Sequence, residues 1–241
     1  MSGHSKWSTI KRKKGKTDAQ RAKIFTKIGR EIAVAVREGG SDPGSNGKLR
    51  DLIAKAKSLN VPNENIDRAV KKGGDSERDN YEQIIYEGYG PAGVALIVDC
   101  LTDNRNRTAG DLRHYFDKCG GNLGQTGSVT FQFQQKGLIV VECEDLDEDR
   151  FMEDVLETGA EDFLVEEEAA EVFTAATPQD VRVVREALEK KKYQIASAEV
   201  EYVPVTYTKL DDEARQKLEK LLDLLDDNDD VQNVWHNWEE E

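Results

Sequence analysis

The first residues of the chain are basic at a density that suits phosphate binding. Lysine and arginine attract phosphate oxygens, and several such contacts together are favoured because they release counterions condensed on a polyanion. Trp7 lies among them, where its ring either stacks on an unpaired base or packs against the helical segment that follows. We expect this arm to be extended or weakly ordered. Its candidate phosphate ligands are Lys6, Lys11, Arg12, Lys13, Lys14 and Lys16.

The basic character continues onto a predicted helix. Thr17 and Gln20 have the spacing of a capping box, and glycines follow at 39 and 40, so the helix should cover residues 17–38. On a helical wheel its apolar side chains share one sector, the expected core face, which holds Phe25, Ile28, Ile32 and Val36. The opposite face carries Lys23, Lys27 and Arg30, and we expect these three to meet phosphates.

A second basic pair lies between a predicted strand and a predicted helix. Asp103 and Asn104 are typical of turns and helix caps, which explains much of the segment 102–108. Arg105 and Arg107 are not needed for that purpose. They suit a second phosphate contact, because the start of a helix attracts anions. From the residues alone, both the structural and the phosphate-binding interpretation stay open.

Two further patterns point to structure more than to chemistry. The glycine-rich segment 120–127 lacks the Lys-Ser/Thr ending of a P-loop and precedes a predicted strand, so a turn-rich connection is favoured. Residues 61–63 separate two short helices, as in a helix-turn-helix. Glu64 and Asp67 would then stand at the exposed start of the recognition helix, where acids meet DNA poorly, so plain helical packing is favoured.

No constellation typical of an enzyme or a metal site is evident. The histidines lie far apart, at positions 4, 114 and 236. Fourteen acidic residues between 144 and 171 are scattered over predicted helix and strand, which is typical of a solvated face. We therefore expect a protein that is not an enzyme, with no catalytic residue, metal, cofactor or small-molecule substrate.

Charge divides the chain into two parts. Residues 1–78 hold nineteen basic and nine acidic residues, whereas the remaining 163 hold fifteen and thirty-nine, and the whole chain is formally −14. This asymmetry indicates a polyanion-binding end on an acidic body that repels nucleic acid. No apolar run approaches the roughly 18 residues of a membrane span, so we expect no membrane partner. Three cysteines without a CxxC pair favour a reducing compartment and a cytoplasmic location.

The order of the predicted elements gives an α+β multidomain protein. Three helices over residues 17–72 form a basic N-terminal helical domain, which we assign with its arm and a linker to residues 1–78. From residue 136 the elements run β-α-β-β-α-β, the order of a ferredoxin-like unit, which we assign to residues 136–203.

The remaining segments make an unfinished sheet on either side of that unit. Strands are predicted near 82–89, 93–99 and 128–134, and a helix over 211–225 and a strand near 231–235 would complete their sheet. Residues 79–135 and 204–241 therefore form a discontinuous middle α+β domain, into which the acidic ferredoxin-like unit is inserted.

Several of these segments together resemble the YebC family of bacterial and organellar regulators. The matching stretches are Gly3-His4-Ser5-Lys6-Trp7, Ala22-Lys23-Ile24-Phe25-Thr26-Lys27, Gly39-Gly40-Ser41-Asp42-Pro43, Tyr86-Glu87-Gly88-Tyr89-Gly90-Pro91, Thr102-Asp103-Asn104-Arg105-Asn106-Arg107-Thr108 and Gly120-Gly121-Asn122-Leu123-Gly124. The resemblance is most specific in residues 3–143 and looser after Glu144. It implies a helical domain followed by two α+β domains, and a non-enzymatic regulator of gene expression.

The resemblance implies either of two targets. Members of the family are described as DNA-binding transcriptional regulators, and others as translational activators or ribosome factors. Phosphate contacts are shared by DNA and RNA and do not separate these roles. We expect a monomeric regulator that binds nucleic acid, with ribosomal RNA on the ribosome as the favoured target and DNA as the alternative.

We predict that the arm dominates affinity for nucleic acid. Deleting residues 1–16 should weaken binding to both DNA and RNA. It should also flatten the dependence of log K on log salt, by roughly 0.7–0.9 for each phosphate that the protein no longer neutralises. Fluorescence anisotropy across a salt titration measures both quantities. Unchanged affinity at every salt concentration would refute this prediction.

Overall fold

The computed structural model describes residue 10 and residues 18–74, 81–143 and 147–239, with the side chains of 18–20 outside the description. These residues form two compact units. One consists of residues 133–205 with Ile10, and the other consists of residues 18–132 and 206–238. The chain is α+β, as predicted, with seven α-helices and two four-stranded antiparallel sheets among the described residues.

Three helices come first in the larger unit. They are α1 (Asp18–Gly39), α2 (Gly47–Ser58) and α3 (Asn63–Gly74). Their apolar faces share one core, which includes Ile28, Ile32, Val36, Leu49, Ala56, Val61 and Ile66. Buried Asn46 fixes the α1–α2 corner, because its side chain caps α2 at the Leu49 N–H and donates to the carbonyls of Ala35 and Gly40.

The sheet of the larger unit is built from two separated parts of the chain. Its strands are β1 (Glu82–Tyr89), β2 (Ala95–Thr102), β3 (Asn122–Leu123) and β8 (Val231–His236), in the order β3-β1-β2-β8. Helices α4 (Arg105–Lys118) and α7 (Asp212–Asp227) supply buried Leu112, Phe116, Leu218 and Leu221 to its core. The last strand therefore pairs with a strand that precedes it by more than a hundred residues.

The smaller unit has the ferredoxin-like arrangement. Its elements are β4 (Phe133–Glu142), α5 (Glu148–Leu156), β5 (Asp162–Val165), β6 (Ala169–Thr174), α6 (Pro178–Lys190) and β7 (Ile195–Pro204). The strand order β5-β6-β4-β7, with every neighbouring pair antiparallel, is that of a split βαβ unit. Thr177 caps α6 and Pro178 occupies its first position, where the missing N–H of proline leaves no helix bond unmade.

One predicted strand is wrong. Residues 128–132 are not a strand: Thr130–Gln132 is a 3-10 turn, and the strand begins only at Phe133. Alternation of Val129, Phe131 and Phe133 suggested one strand, but Val129 and Phe133 are buried whereas Phe131 is 74% exposed. The strand β4 then continues past residue 136, so the boundary predicted between 135 and 136 falls inside it.

The arm departs from expectation at its single described residue. Ile10 is helical and buried, where an extended or weakly ordered segment is predicted. It packs on the face of the ferredoxin-like sheet opposite α5 and α6, with Leu138, Val140 and Phe173. This hydrophobic contact explains the difference, because removing the Ile10 side chain from water is favourable in free energy.

A close contact between α1 and α3 gives a direct stability test. A Cβ at Gly73 would lie 2.6 Å from the Ala33 carbonyl oxygen and 2.8 Å from Val36 Cβ, whereas a Cβ at Gly74 would meet nothing within 4 Å. We predict that Gly73→Ala lowers the free energy of unfolding by about 1–3 kcal/mol through overpacking. Gly74→Ala is the matched control and should be neutral or slightly stabilising. Urea denaturation followed by circular dichroism measures both, and equal effects would contradict the packing account.

Candidate nucleic-acid interface

The predicted phosphate ligands fall into two groups. Seven of them lie outside the described residues, namely Lys6, Trp7, Lys11, Arg12, Lys13, Lys14 and Lys16, as does the capping box at Thr17. The other five are described, namely Lys23, Lys27, Arg30, Arg105 and Arg107. All five belong to the larger unit, and four of them converge on one acidic segment.

The basic face of α1 contacts the end of α7, not open solvent. Lys23 Nζ lies 2.7 Å from a carboxylate oxygen of Asp227, and Lys27 Nζ donates to the Asp226 carbonyl at 2.7 Å. Arg30 donates through one nitrogen to the Asp229 carbonyl at 2.8 Å. The helical wheel identifies a face opposite the core correctly. It cannot show that this face is a second packing surface.

These contacts explain an acidic cluster that conflicts with the helix dipole. Helix α7 ends in Asp226 and Asp227 and has no basic residue in its last turn, although its exposed carbonyls favour cations there. The cations come from another helix, because α1 places Lys23, Lys27 and Arg30 at those carbonyls and carboxylates. We call residues 226–230 the acidic turn. Its carbonyls and carboxylates are capped by side chains of α1, a distant part of the same chain.

Asp230 is the centre of this contact. Its carboxylate accepts hydrogen bonds from the Thr108 hydroxyl at 2.8 Å, Arg107 at 2.8 Å and Arg30 at 3.1 Å. Only 5% of Asp230 is exposed. Burial by itself would raise the pKa of this carboxyl, but the hydrogen bonds from Arg107 and Thr108, with the charge of Arg30, hold the pKa below its ordinary value.

The two arginines at the start of α4 therefore differ. Arg107 pairs with both Asp103 and Asp230, so its role in the fold explains this residue without a phosphate ligand. Asn104 caps the helix by accepting from the Arg107 backbone N–H. Arg105 is exposed and has no carboxylate partner within the part of the chain that the structure describes. Of the pair, Arg105 is the one available to a phosphate.

The end of the glycine-rich segment and the residues after it bind a carboxylate of the same chain. Buried Glu87 accepts from the backbone N–H groups of Gly127 at 2.7 Å, Val129 at 2.8 Å and Thr130 at 2.9 Å. Desolvation would raise the pKa of Glu87, but these bonds keep the pKa below its ordinary value. Within the segment, the N–H groups of Gly120, Gly121 and Gly124 donate to main-chain carbonyls, so the segment is a structural turn, as the sequence predicts.

Exposed basic side chains also lie on α2 and α3, and the prediction of phosphate ligands from helical faces, which considered only α1 among these helices, did not include them. Arg50 and Lys57 on α2, and Arg68 and Lys71 on α3, are exposed. The excess of lysine and arginine in residues 47–74 is the sequence signal that identifies this surface.

The region around residues 61–63 agrees with plain helical packing. Glu64 and Asp67 are exposed at the start of α3, while Ile66 and Ala69 are buried in the helical core. The exposed start of α3 therefore presents acids, as the sequence predicts.

Comparison with known proteins identifies the family. A family model described as the TACO1/YebC protein N-terminal domain matches residues 5–76, and one described as the TACO1/YebC second and third domain matches residues 81–238. The chain belongs to the TACO1/YebC family. The resemblance seen in the sequence is thereby confirmed, and the stretch 102–108 that carried part of it is the one that binds Asp230.

TACO1/YebC relatives and a solved structure match along nearly the whole chain. A protein from Acetivibrio thermocellus is 57% identical over 241 residues, and one from Finegoldia magna is 56% identical over 243, covering 99% or more of both chains. Both are named probable transcriptional regulatory protein. The crystal structure of a conserved hypothetical protein from Aquifex aeolicus, 46% identical, matches with a TM-score of 0.83 over 93% of this chain and 92% of that one.

The described part of this TACO1/YebC protein holds neither a metal-binding cluster nor a membrane-spanning helix. Among residues 18–74, 81–143 and 147–239, no group of three or more His, Cys, Asp or Glu side chains has the geometry to hold a metal ion. None of the helices in these ranges combines the length and the apolar character needed to cross a membrane.

We predict that Asp230→Asn destabilises the protein by about 1–3 kcal/mol at neutral pH, because Arg30 and Arg107 lose their charged acceptor. Since the folded pKa of Asp230 is depressed, this contribution is present above the unfolded pKa of about 4 and is lost as the pH falls through the folded pKa. The difference from wild type in urea denaturation should therefore shrink below about pH 4.

The matched control is Asp229→Asn in the same turn. The Asp229 side chain is 52% exposed and lies 4.0 Å from Arg30, so its loss should change stability by less than about 1 kcal/mol. If the two substitutions destabilise the protein equally, Asp230 is not the centre of the contact.

Proposed function

We propose that this protein is a non-enzymatic regulator of gene expression that binds nucleic acid through its basic N-terminal region, with ribosomal RNA as its target. The observation that carries the proposal is the separation of charge, with nineteen basic against nine acidic residues in 1–78 and fifteen against thirty-nine in the rest. A polyanion is attracted to the first part and repelled by the second. The relatives named as transcriptional regulators support the role of a regulator.

The proposed phosphate ligands fall into separate sets, one in the arm and others on the helices of the larger unit. The arm contributes Lys6, Trp7, Lys11, Arg12, Lys13, Lys14 and Lys16. Exposed Arg50, Lys57, Arg68 and Lys71 contribute positive charge on α2 and α3. Arg105 offers a second contact at the start of α4, beside a helix N-terminus that favours anions.

The chemistry of this surface favours RNA over duplex DNA. A sequence reader of duplex DNA inserts an element into the major groove, and α3 begins with exposed Glu64 and Asp67, which oppose such an approach. Ribosomal RNA offers dense phosphates and unpaired bases, which need charge and stacking and no groove helix. Trp7 is the proposed stacking residue.

The chemistry of the cysteines supports a role that is not enzymatic. Nucleophilic cysteines need a lowered pKa, because the thiolate is the reactive form. Here burial raises the pKa of the Cys143 thiol to about 11, and burial also raises the pKa of Cys100 well above its ordinary value. Both behave as packing residues.

A second candidate function is DNA-binding transcriptional regulation. The names of the relatives favour it, since both describe a transcriptional regulatory protein. The same basic residues would contact DNA phosphates, so the two candidates differ in which polymer binds more tightly and not in which side chains bind.

Competition distinguishes the two candidates. Labelled structured ribosomal RNA, bound to the full chain at one fixed salt concentration, is challenged with unlabelled rRNA, with a particular promoter duplex and with its scrambled version. We predict that unlabelled rRNA displaces the label readily, and that both duplexes do so weakly and equally. If the particular duplex displaces the RNA while the scrambled one does not, the protein is a DNA reader and the RNA proposal is wrong.

A further inference from the structure

We propose that the acidic turn is an internal competitor of nucleic acid, which occupies the basic face of α1 and must yield Lys23 and the outer side of the Arg30 guanidinium before phosphates can bind there. The inference rests on the proposed function, since it names a regulation of the same site. It assigns a role to Asp227 and Asp229, whose carboxylates the packing of the fold does not itself require.

The outer carboxylates of the turn are accessible. The side chains of Lys23 and Asp227 are 42% and 68% exposed, and their charged atoms lie 2.7 Å apart. Asp229 is half exposed beside Arg30. Exposed ion pairs are weak, so exchange of one oxyanion for another changes the free energy little. A phosphate arriving from solvent can therefore take over these cations without unfolding the protein.

The inner part of the turn stays in place during such an exchange. Asp230 is buried among Thr108, Arg107 and Arg30, and its carbonyl accepts the Leu101 backbone N–H at 2.7 Å. Lys27 is largely buried and bonds a main-chain carbonyl. The exchange is therefore confined to the flexible Lys23 side chain and to the Asp229 side of the Arg30 guanidinium. The helix and the turn keep their positions.

Carboxylate and phosphate are interchangeable partners for these side chains. Both present negative oxygens to lysine and both accept from the guanidinium group of arginine. As long as the carboxylates hold Lys23 and Arg30, these cations do not contribute to counterion release on nucleic-acid binding. The acidic turn should thus lower both the affinity and the number of phosphate contacts.

The test compares two double variants of equal net charge. Asp227→Asn with Asp229→Asn removes outer carboxylates of the turn. Asp223→Asn with Glu219→Gln makes the same charge change at exposed positions of the same helix, which form no ion pair with α1 within the described residues. Binding of labelled structured rRNA is measured by fluorescence anisotropy over a range of salt, and urea denaturation verifies that both variants are folded.

We expect the turn variant to bind about two- to tenfold more tightly than the Asp223/Glu219 variant at low salt, because the Lys23 pair is released and the weak Asp229–Arg30 attraction is lost while Arg30 stays on Asp230. Its slope of log K against log salt should steepen by the amount expected for about one or two additional phosphate contacts. The slope of the control should stay that of wild type. Adding Lys23→Gln to the turn variant should remove much of the gain, because the released cation is then absent.

Two outcomes overturn the inference, and they are distinguishable. If both double variants bind with the same affinity and the same slope, nucleic acid is bound but the acidic turn does not compete with it. If the wild type and every variant fail to bind rRNA and DNA at low salt, the proposed function fails and this inference fails with it.

Discussion

One buried carboxylate holds the larger unit together. Asp230 joins α1 through Arg30, the end of β2 through Thr102 and the start of α4 through Arg107 and Thr108. A buried charge is costly unless it is paired and hydrogen-bonded, so these groups must be present together. The three helices and the sheet of this unit therefore share an ionic contact in addition to their separate hydrophobic cores.

This contact reduces the positive charge of residues 1–78 that is available to a polyanion. The excess of basic residues in 1–78 is partly satisfied inside the molecule, since α1 directs Lys23, Lys27 and Arg30 at the acidic turn. The binding of a polyanion that we propose then depends on the arm and on exposed side chains such as Arg68 and Lys71. In our proposal, the arm supplies the main contact with nucleic acid and α1 supplies an adjustable one.

Local signals in the sequence predicted much of the fold, but the side-chain contacts between distant residues were beyond them. Periodicity located α1 and the β-α-β-β-α-β order, because each pattern depends on residues within a few positions. The strand predicted at 128–134 was wrong because a carboxylate forty residues away, Glu87, binds its backbone into a turn. The basic face of α1 looked free because its partners lie about two hundred residues later.

Cosedimentation with ribosomes tests the central claim most directly. Full-length protein is mixed with purified ribosomes at moderate salt and centrifuged through a sucrose cushion, with duplex DNA cellulose as the parallel matrix. The account predicts that the protein enters the ribosome pellet, is released as salt rises, and is retained less well on DNA. Protein that stays in the supernatant with ribosomes, yet is held by DNA at the same salt, would contradict it.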